Sequence, residues 1–409
     1  MTEIKVVFVS NVPVWGGSVK SLFQTVTLFS RSSIGKAYLL IPKGSASKYF
    51  KPVSEVLEVS AIPQFDNTSY GHYRWFRWLL LVREVIAFLK FLFSLKMIKQ
   101  KFKDVNIIHF NEIVCFIPCV FLFKKICPNA KIVTHVRSLQ CNGKSLRTRL
   151  VNALLYKMAD HIFCIDKIVQ NSLPSSVRDK VTVLYNVNDC NTLKVQSKAK
   201  FTGPIRLIFL GGCNFMKGAG FLLPLVSILD LMGVDFSLTV IGIEENKESI
   251  FSVTLKKVLS ILGIKKTISS SEFKESFKEY SSKYEINLLP FQNNIDQYLT
   301  SSDLLIFPSY LDAPGRPSIE AMGLGIPSII FCNDKENDVV LEGETGFNVA
   351  NLDIQQFAER IAYFYKNHNS LEAFSQNCIN HYNNVFLPSS HLEKLSSTYT
   401  SLISNQSTE

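Results

Sequence analysis

A chain of 409 residues is too long for one ordinary core and fits two domains of about 200 residues each. Hydrophobic residues make up 47% and charged residues only 19%, with a mean hydropathy of +0.15, ample for two cores and high for a freely soluble enzyme. The net charge of +10 is uneven: residues 1–200 carry 29 Lys/Arg against 11 Asp/Glu, and residues 201–409 carry 15 against 23. An asymmetry of +18 against −8 points to an anionic partner for the first half, a nucleic acid or a membrane surface.

The N-terminus passes directly into Val6-Val-Phe-Val9 and stops at Ser10-Asn11. That run is too short for a signal segment and reads as a first buried strand. Further short apolar runs follow at 37–41, 106–109, 131–134, 162–165 and 181–184, separated by helical patterns, the mark of parallel α/β units. The stretch 73–103 stands apart, with Arg74, Arg77, Arg83, Lys90, Lys96, Lys99, Lys101 and Lys103 against the single acid Glu84. Three readings are open: a core helix with a solvated basic face, a transmembrane span, and an interfacial helix. Charges at 83, 84 and 90 disfavour the span. Trp, Phe and Leu beside so many cations favour contact with an anionic membrane surface. Nucleic acid ranks lower, because no binding motif accompanies the charge.

Residues 191–204 lack sustained apolar periodicity and read as a linker between an N-terminal domain, 1–190, and a C-terminal domain, 205–385. Residues 386–409 form a C-terminal helix and tail expected to return toward the N-terminal domain, with the polar end after Glu393 expected to fray. Strand runs of the second domain fall at 205–210, 236–241, 285–289, 303–307 and 327–331. Each half therefore resembles a doubly wound sheet with its crevice at the carboxyl ends of the strands. The nine cysteines are scattered with no Cys-x-x-Cys pair, so they read as small buried hydrophobes in a reducing cytosol.

The most informative stretch is Asp312-Ala-Pro-Gly-Arg-Pro-Ser-Ile-Glu320, which follows a buried strand and leads through a turn into a helix beginning near Pro317. Free N–H groups at that turn attract phosphate. Glu320 suits a pair of ribose hydroxyls, and Asp312 could take sugar hydroxyls. Two carboxylates beside a diphosphate need nearby cations, for which Arg316 is a candidate. Lys217, in Leu210-Gly-Gly-Cys-Asn-Phe-Met-Lys-Gly218, is another, although taken alone it reads as an ordinary surface lysine. The segment is neither a P-loop nor a Gly-x-Gly-x-x-Gly fingerprint.

Taken together, these blocks resemble the donor domain of family 4 of the GT-B glycosyltransferases, the retaining glycosyl transferases group 1. Three blocks match in order: Gly-x5-Lys-Gly near 212–218, the acidic-x7-Glu motif ending at Glu320-Ala-Met, and Glu342-Gly-Glu-Thr-Gly346-Phe. The likeness covers most of 205–360. The first half is weaker, with Ser10-Asn11, Gly16-Gly17-Ser18, His135 after the strand Lys131–Thr134, and Tyr185-Asn186-Val187.

The resemblance implies two facing Rossmann-like domains with an interdomain cleft, an acceptor-binding N-terminal domain and a nucleoside-diphosphate sugar as donor, UDP- or GDP-linked. It implies no metal and no separate cofactor. By position, Glu320 holds the ribose, and Asp312 with the amides of Gly315 and Arg316 holds the transferred sugar. Lys217 binds the diphosphate, Gly16 and Gly17 let the N-terminal loop approach it, and Gly212 is counted among the donor-binding residues. His135 lies near the reacting sugar, with a satisfied histidine at a strand end as the competing reading. Asp312 replaces the usual Glu, and Gly212 stands where the family commonly has an Arg.

These features lead to the expectation of retaining transfer to a lipid-linked glycan in bacterial O-antigen, capsule or exopolysaccharide assembly. The enzyme would then be cytoplasmic and peripheral on the inner face of the plasma membrane. Alternatives are a sugar-nucleotide epimerase on the same fold and a noncatalytic partner of a polysaccharide machine.

Overall fold

The computed structural model describes residues 3–69, 80–188, 203–243, 269–292 and 294–404. They form two compact units, Met1–Asp189 with Leu387–Glu409, and Cys190–Phe386. The expected linker falls, as far as residue 202, outside the described residues, as do 73–79 of the basic stretch.

The first unit holds a seven-stranded parallel sheet: β1 Ile4–Val9, β2 Gly35–Pro42, β3 Glu55–Val59, β4 Ile107–Phe110, β5 Lys131–Val136, β6 His161–Cys164 and β7 Val181–Val183, in the order β3-β2-β1-β4-β5-β6-β7. Helices α1 Gly17–Arg31, α2 Ser47–Phe50, α3 Leu80–Phe102, α4 Ile113–Ile126, α5 Leu146–Met158 and α6 Lys167–Asn171 connect them. The central strands are largely apolar because helices cover both faces. On one face Phe91 and Ile98 of α3 pack with Phe116 and Phe123 of α4 and Leu155 of α5.

The second unit repeats the design with β8 Ile205–Phe209, β9 Phe236–Ile241, β10 Glu285–Leu289, β11 Leu304–Phe307, β12 Ser328–Phe331 and β13 Gly346–Val349, in the order β10-β9-β8-β11-β12-β13. Its helices are α7 Ala219–Leu231, α8 Ser270–Ser276, α9 Asp296–Thr300, α10 Gly315–Gly323, α11 Ile354–Lys366 and α12 Ser370–Val385. Strand order reverses between β1 and β4 in one sheet and between β8 and β11 in the other. At those two points the loops leaving neighbouring strands diverge and open a crevice.

Two strands escaped the sequence reading. Edge strand β3 carries Glu55 and Glu58 and so shows no apolar run. Strand β13 is only four residues, Gly-Phe-Asn-Val, and its glycine hid it. Helix α10 starts at Gly315, two residues before the expected Pro317.

The expectation of a fraying tail after Glu393 is also corrected. Helix α13, Pro388–Ser404, continues to Ser404 because Leu395 and Tyr399, one turn apart, are fully buried against α1 and the first sheet. The Tyr399 hydroxyl lies 2.6 Å from Nδ1 of His109. Nearer the start of α13, His391 Nδ1 donates to the carbonyl of Tyr185 at 2.8 Å, and its Nε2 meets the Thr25 hydroxyl at 3.1 Å.

Burial lowers the His391 pKa from 6.5 to about 4. Protons therefore bind the unfolded chain more tightly than the folded one. The stabilisation is complete above pH 6.5 and is lost as pH falls through about 4. A shift of that size corresponds to about 3 kcal/mol. Urea unfolding should show His391→Gln to be less stable than wild type at pH 7, with a shallower loss of stability between pH 6.5 and 4. An unchanged pH slope would remove His391 from this role.

Candidate active site

The second unit gathers its chemistry at the β8/β11 switch point. The loop after β8 forms a 3-10 turn, Phe215–Lys217, capped by the side chain of Asn214 and closed by Gly218 in the left-handed region. A Cβ at Gly218 would lie 2.2 Å from the carbonyl oxygen of Pro308, so only glycine lets this loop press against the loop after β11. Three further contacts fix the pair. Tyr310 N–H and the Ser309 hydroxyl each donate to the Met216 carbonyl at 3.1 Å, and Phe215 stacks on Tyr310 at 4.7 Å.

This seam places Lys217 beside Glu320 of α10. Burial lowers the Lys217 pKa, and the nearby carboxylate of Glu320 opposes that shift. Glu320 is 7% exposed, and its Oε1 accepts from Nε of Arg316 at 2.8 Å, one helical turn earlier. One carboxylate thus sits between two cations near the start of α10, where free N–H groups favour anions. Arg316 emerges already engaged by Glu320, a contact that its i,i+4 spacing made legible.

Asp312 occupies a left-handed backbone position, φ 48°, which aspartate tolerates better than most residues. Its carboxylate accepts from the backbone N–H of Asn333 at 2.8 Å and from its side-chain amide at 3.1 Å. Asn333 in turn accepts from the N–H of Asn351. Asp312 therefore clips the loop after β12 to the loop before α10. Sequence reading missed Asn333, for which no motif gave a signal. Gly315 has φ 66°, and a Cβ there would meet the ring of Phe307 at 2.9 Å.

Gly212 has φ 54°, and a Cβ there would lie 2.2 Å from the carbonyl oxygen of Gly242. An arginine does not fit this backbone. The third sequence block, Glu342 to Phe347, forms the turn into β13, where Glu342 Oε2 accepts from the N–H of Asn348 at 2.6 Å and Thr345 Oγ1 from that of Leu341 at 2.8 Å.

In the first unit, Gly16 caps α1 and Gly17 begins it, with open space around both. His135 is 1% exposed and packs near His109 and Phe163 in the interior. Nη2 of Arg137 lies 3.3 Å from its Nδ1. Burial, reinforced by Arg137, holds its pKa well below 6.5, so the ring is neutral at pH 7. Arg137, unremarked in the sequence, also reaches Asn111 and Asn186 at the strand ends. The eight described cysteines are all free.

Residues 191–381 match the family model described as Glycosyl transferases group 1. That match spans nearly the whole of the second unit, and the chain is accordingly a glycosyltransferase. No curated protein matches the chain by sequence. Among solved structures it is similar to HepE of Anabaena, in complex with UDP and glucose, with a TM-score of 0.70 and 14% identity over 98% of this chain and 100% of the other. A glycosyltransferase from Rickettsia africae gives 0.70 and 15% over 99% and 100%. The lipopolysaccharide outer core galactosyltransferase WaaB gives 0.59 and 16% over 93% and 99%. These likenesses show the fold, and the fold of this glycosyltransferase is GT-B.

The packing at Gly212 yields a test. Restoring the family's arginine by Gly212→Arg should cost on the order of 1–3 kcal/mol of stability through backbone strain. It should leave nucleotide binding no tighter than in wild type. Thermal unfolding and calorimetric titration check both halves, and a stable variant with tighter binding would refute the packing argument.

Proposed function

We propose that the chain transfers a hexose, with retention, from a nucleoside-diphosphate sugar to a lipid-linked glycan in bacterial surface-polysaccharide assembly. The observation that carries the donor half is the meeting of Lys217, Glu320 and Arg316 at the β8/β11 switch point. In this reading the carboxylate of Glu320 accepts from the ribose hydroxyls, while Lys217 and the amides of Gly315 and Arg316 face the diphosphate. A lysine placed at the developing phosphate charge favours departure of the nucleoside diphosphate. The acceptor hydroxyl attacks the anomeric carbon on the face that the diphosphate leaves. The C–O bond to phosphate breaks, the new glycosidic bond forms, and the acceptor proton passes to the departing phosphate oxygen.

UDP is the favoured nucleotide, supported by the UDP and UDP-glucose complexes of HepE. The polysaccharide setting draws on WaaB, a lipopolysaccharide outer core galactosyltransferase. Asp312 is assigned to sugar hydroxyls through the lone pairs its Asn333 contacts leave over. Gly16 and Gly17 are assigned to the donor's passage, and His135 to the region of the reacting sugar. The test is a thermal-shift panel of UDP, GDP, ADP and their sugars, since a ligand of the native state raises the unfolding midpoint. UDP and a UDP-sugar should shift wild type, and Lys217→Ala should reduce the shift while lowering turnover roughly 100-fold. A flat panel would overturn the donor assignment, and release of an epimer without acceptor would favour the epimerase.

Membrane contact rests on α3. Glu84, Phe91, Ile98 and Phe102 face inward, while Val82, Val85, Ile86, Leu89 and Phe93 form an exposed stripe, with Phe93 89% exposed. Arg83, Lys90, Lys96 and Lys99 are exposed around it. Among the described residues no helix is long and apolar enough to cross a membrane. The face fits an anionic bilayer surface, with apolar side chains at the acyl boundary and cations among the headgroups. Wild type should float with phosphatidylglycerol vesicles, and a Phe93→Ser, Lys90→Glu, Lys96→Glu variant should stay in solution. Equal flotation of both would remove α3 from this role.

A further inference from the structure

We infer that Arg316 is a positioning residue, which holds the carboxylate of Glu320 oriented for the ribose diol in advance of donor binding. This rests on the donor reading above and goes beyond it, because it assigns Arg316 to the ribose end of the site instead of the diphosphate.

The geometry supports this division of labour. Arg316 lies on the first turn of α10 and Glu320 one turn later, so both side chains share a face of the helix. The Nε–Oε1 distance of 2.8 Å is that of a charge-assisted hydrogen bond. Their side chains are only 11% and 9% exposed, so solvent screens the pair weakly. Such a contact fixes one oxygen of the carboxylate, and through it the plane of the whole group. A ribose diol presents two adjacent donors, which a carboxylate can accept together only when that plane is set correctly. A planar guanidinium holds it better than a flexible ammonium would.

The contact also answers the charge problem of this chain. Glu320 lies close to where a diphosphate would arrive, and the family's arginine at Gly212 is sterically excluded. Pairing Glu320 with Arg316 offsets the carboxylate and leaves Lys217, the other cation beside it, to face the phosphates.

Binding of UDP, UMP and 2′,3′-dideoxy-UDP to full-length wild type, Arg316→Met and Glu320→Gln is the test. Arg316→Met should weaken UDP and UMP by a common factor, roughly 10-fold. Dideoxy-UDP, which lacks the ribose donors, should bind wild type and Arg316→Met alike within about two-fold. In the Glu320→Gln background the same substitution should cost no further affinity for UDP, since the two residues act as one unit. Arg316→Lys, with circular dichroism to confirm folding, serves if the methionine variant does not fold, and should show a smaller loss with the same dependence on ribose hydroxyls. A loss as large for dideoxy-UDP as for UDP, or one that spares UMP, would make Arg316 a direct diphosphate ligand and overturn the inference. Wild type that binds none of the three nucleotides would instead overturn the donor reading on which it rests.

Discussion

The candidate site depends on the backbone of one loop pressing against the backbone of another. The loops after β8 and β11 leave adjacent parallel strands, and each would otherwise curl toward its own helix. Gly218 lets them touch, because any Cβ there would overlap the Pro308 carbonyl. The Tyr310 and Ser309 bonds to the Met216 carbonyl then satisfy polar groups that the contact takes from water. Lys217, next to Gly218, is carried toward α10 by this seam, and its proximity to Glu320 follows from it. A second close approach, between Gly212 and Gly242, fixes the other side of the same loop and removes the room for a side chain at 212.

Charge follows from packing. A diphosphate site needs cations, and a ribose site of this kind needs a carboxylate. Putting both within a few residues invites either repulsion or mutual neutralisation. Here the carboxylate has its own partner, Arg316, one turn away, and the lysine belongs to another loop. The helix-borne pair is geometrically stiff, while the lysine sits on a turn fixed by stacking of Phe215 on Tyr310. Asp312 is tied down separately by Asn333, so the acidic-x7-Glu motif divides into one anchored loop residue and one anchored helix residue.

Much of this was legible in the sequence because parallel sheets write themselves as apolar runs, and eleven of the strands could be read that way. Strand β3 could not, since Glu55 and Glu58, on opposite faces of this short edge strand, break the apolar run. The C-terminal helix was readable only as polar because its inward residues, His391, Leu395 and Tyr399, are few, and two of them hide polar atoms in hydrogen bonds to Thr25, Tyr185 and His109. Motif order gave Lys217 and Glu320, yet nothing in the order said that Asp312 bonds Asn333 across 21 positions. His135 shows the converse limit: it reads as following a strand, whereas it lies within β5 and is almost fully buried.

The two halves of the chain set opposite electrostatic problems. The second half, with a net −8, repels an anionic donor at long range, although salt damps that repulsion beyond about 10 Å. Binding must then come from short-range contacts, and this is the condition under which a partly desolvated lysine and the amides of a helix start matter most. The first half, at +18, has the long-range attraction that the second lacks, and it spends it on a flat helix surface, α3, instead of a pocket. Broad cationic fields suit a broad anionic surface, and a local cation suits a single diphosphate. Under the proposed function, the charge asymmetry read from composition alone thus corresponds to two scales of anion recognition within one chain.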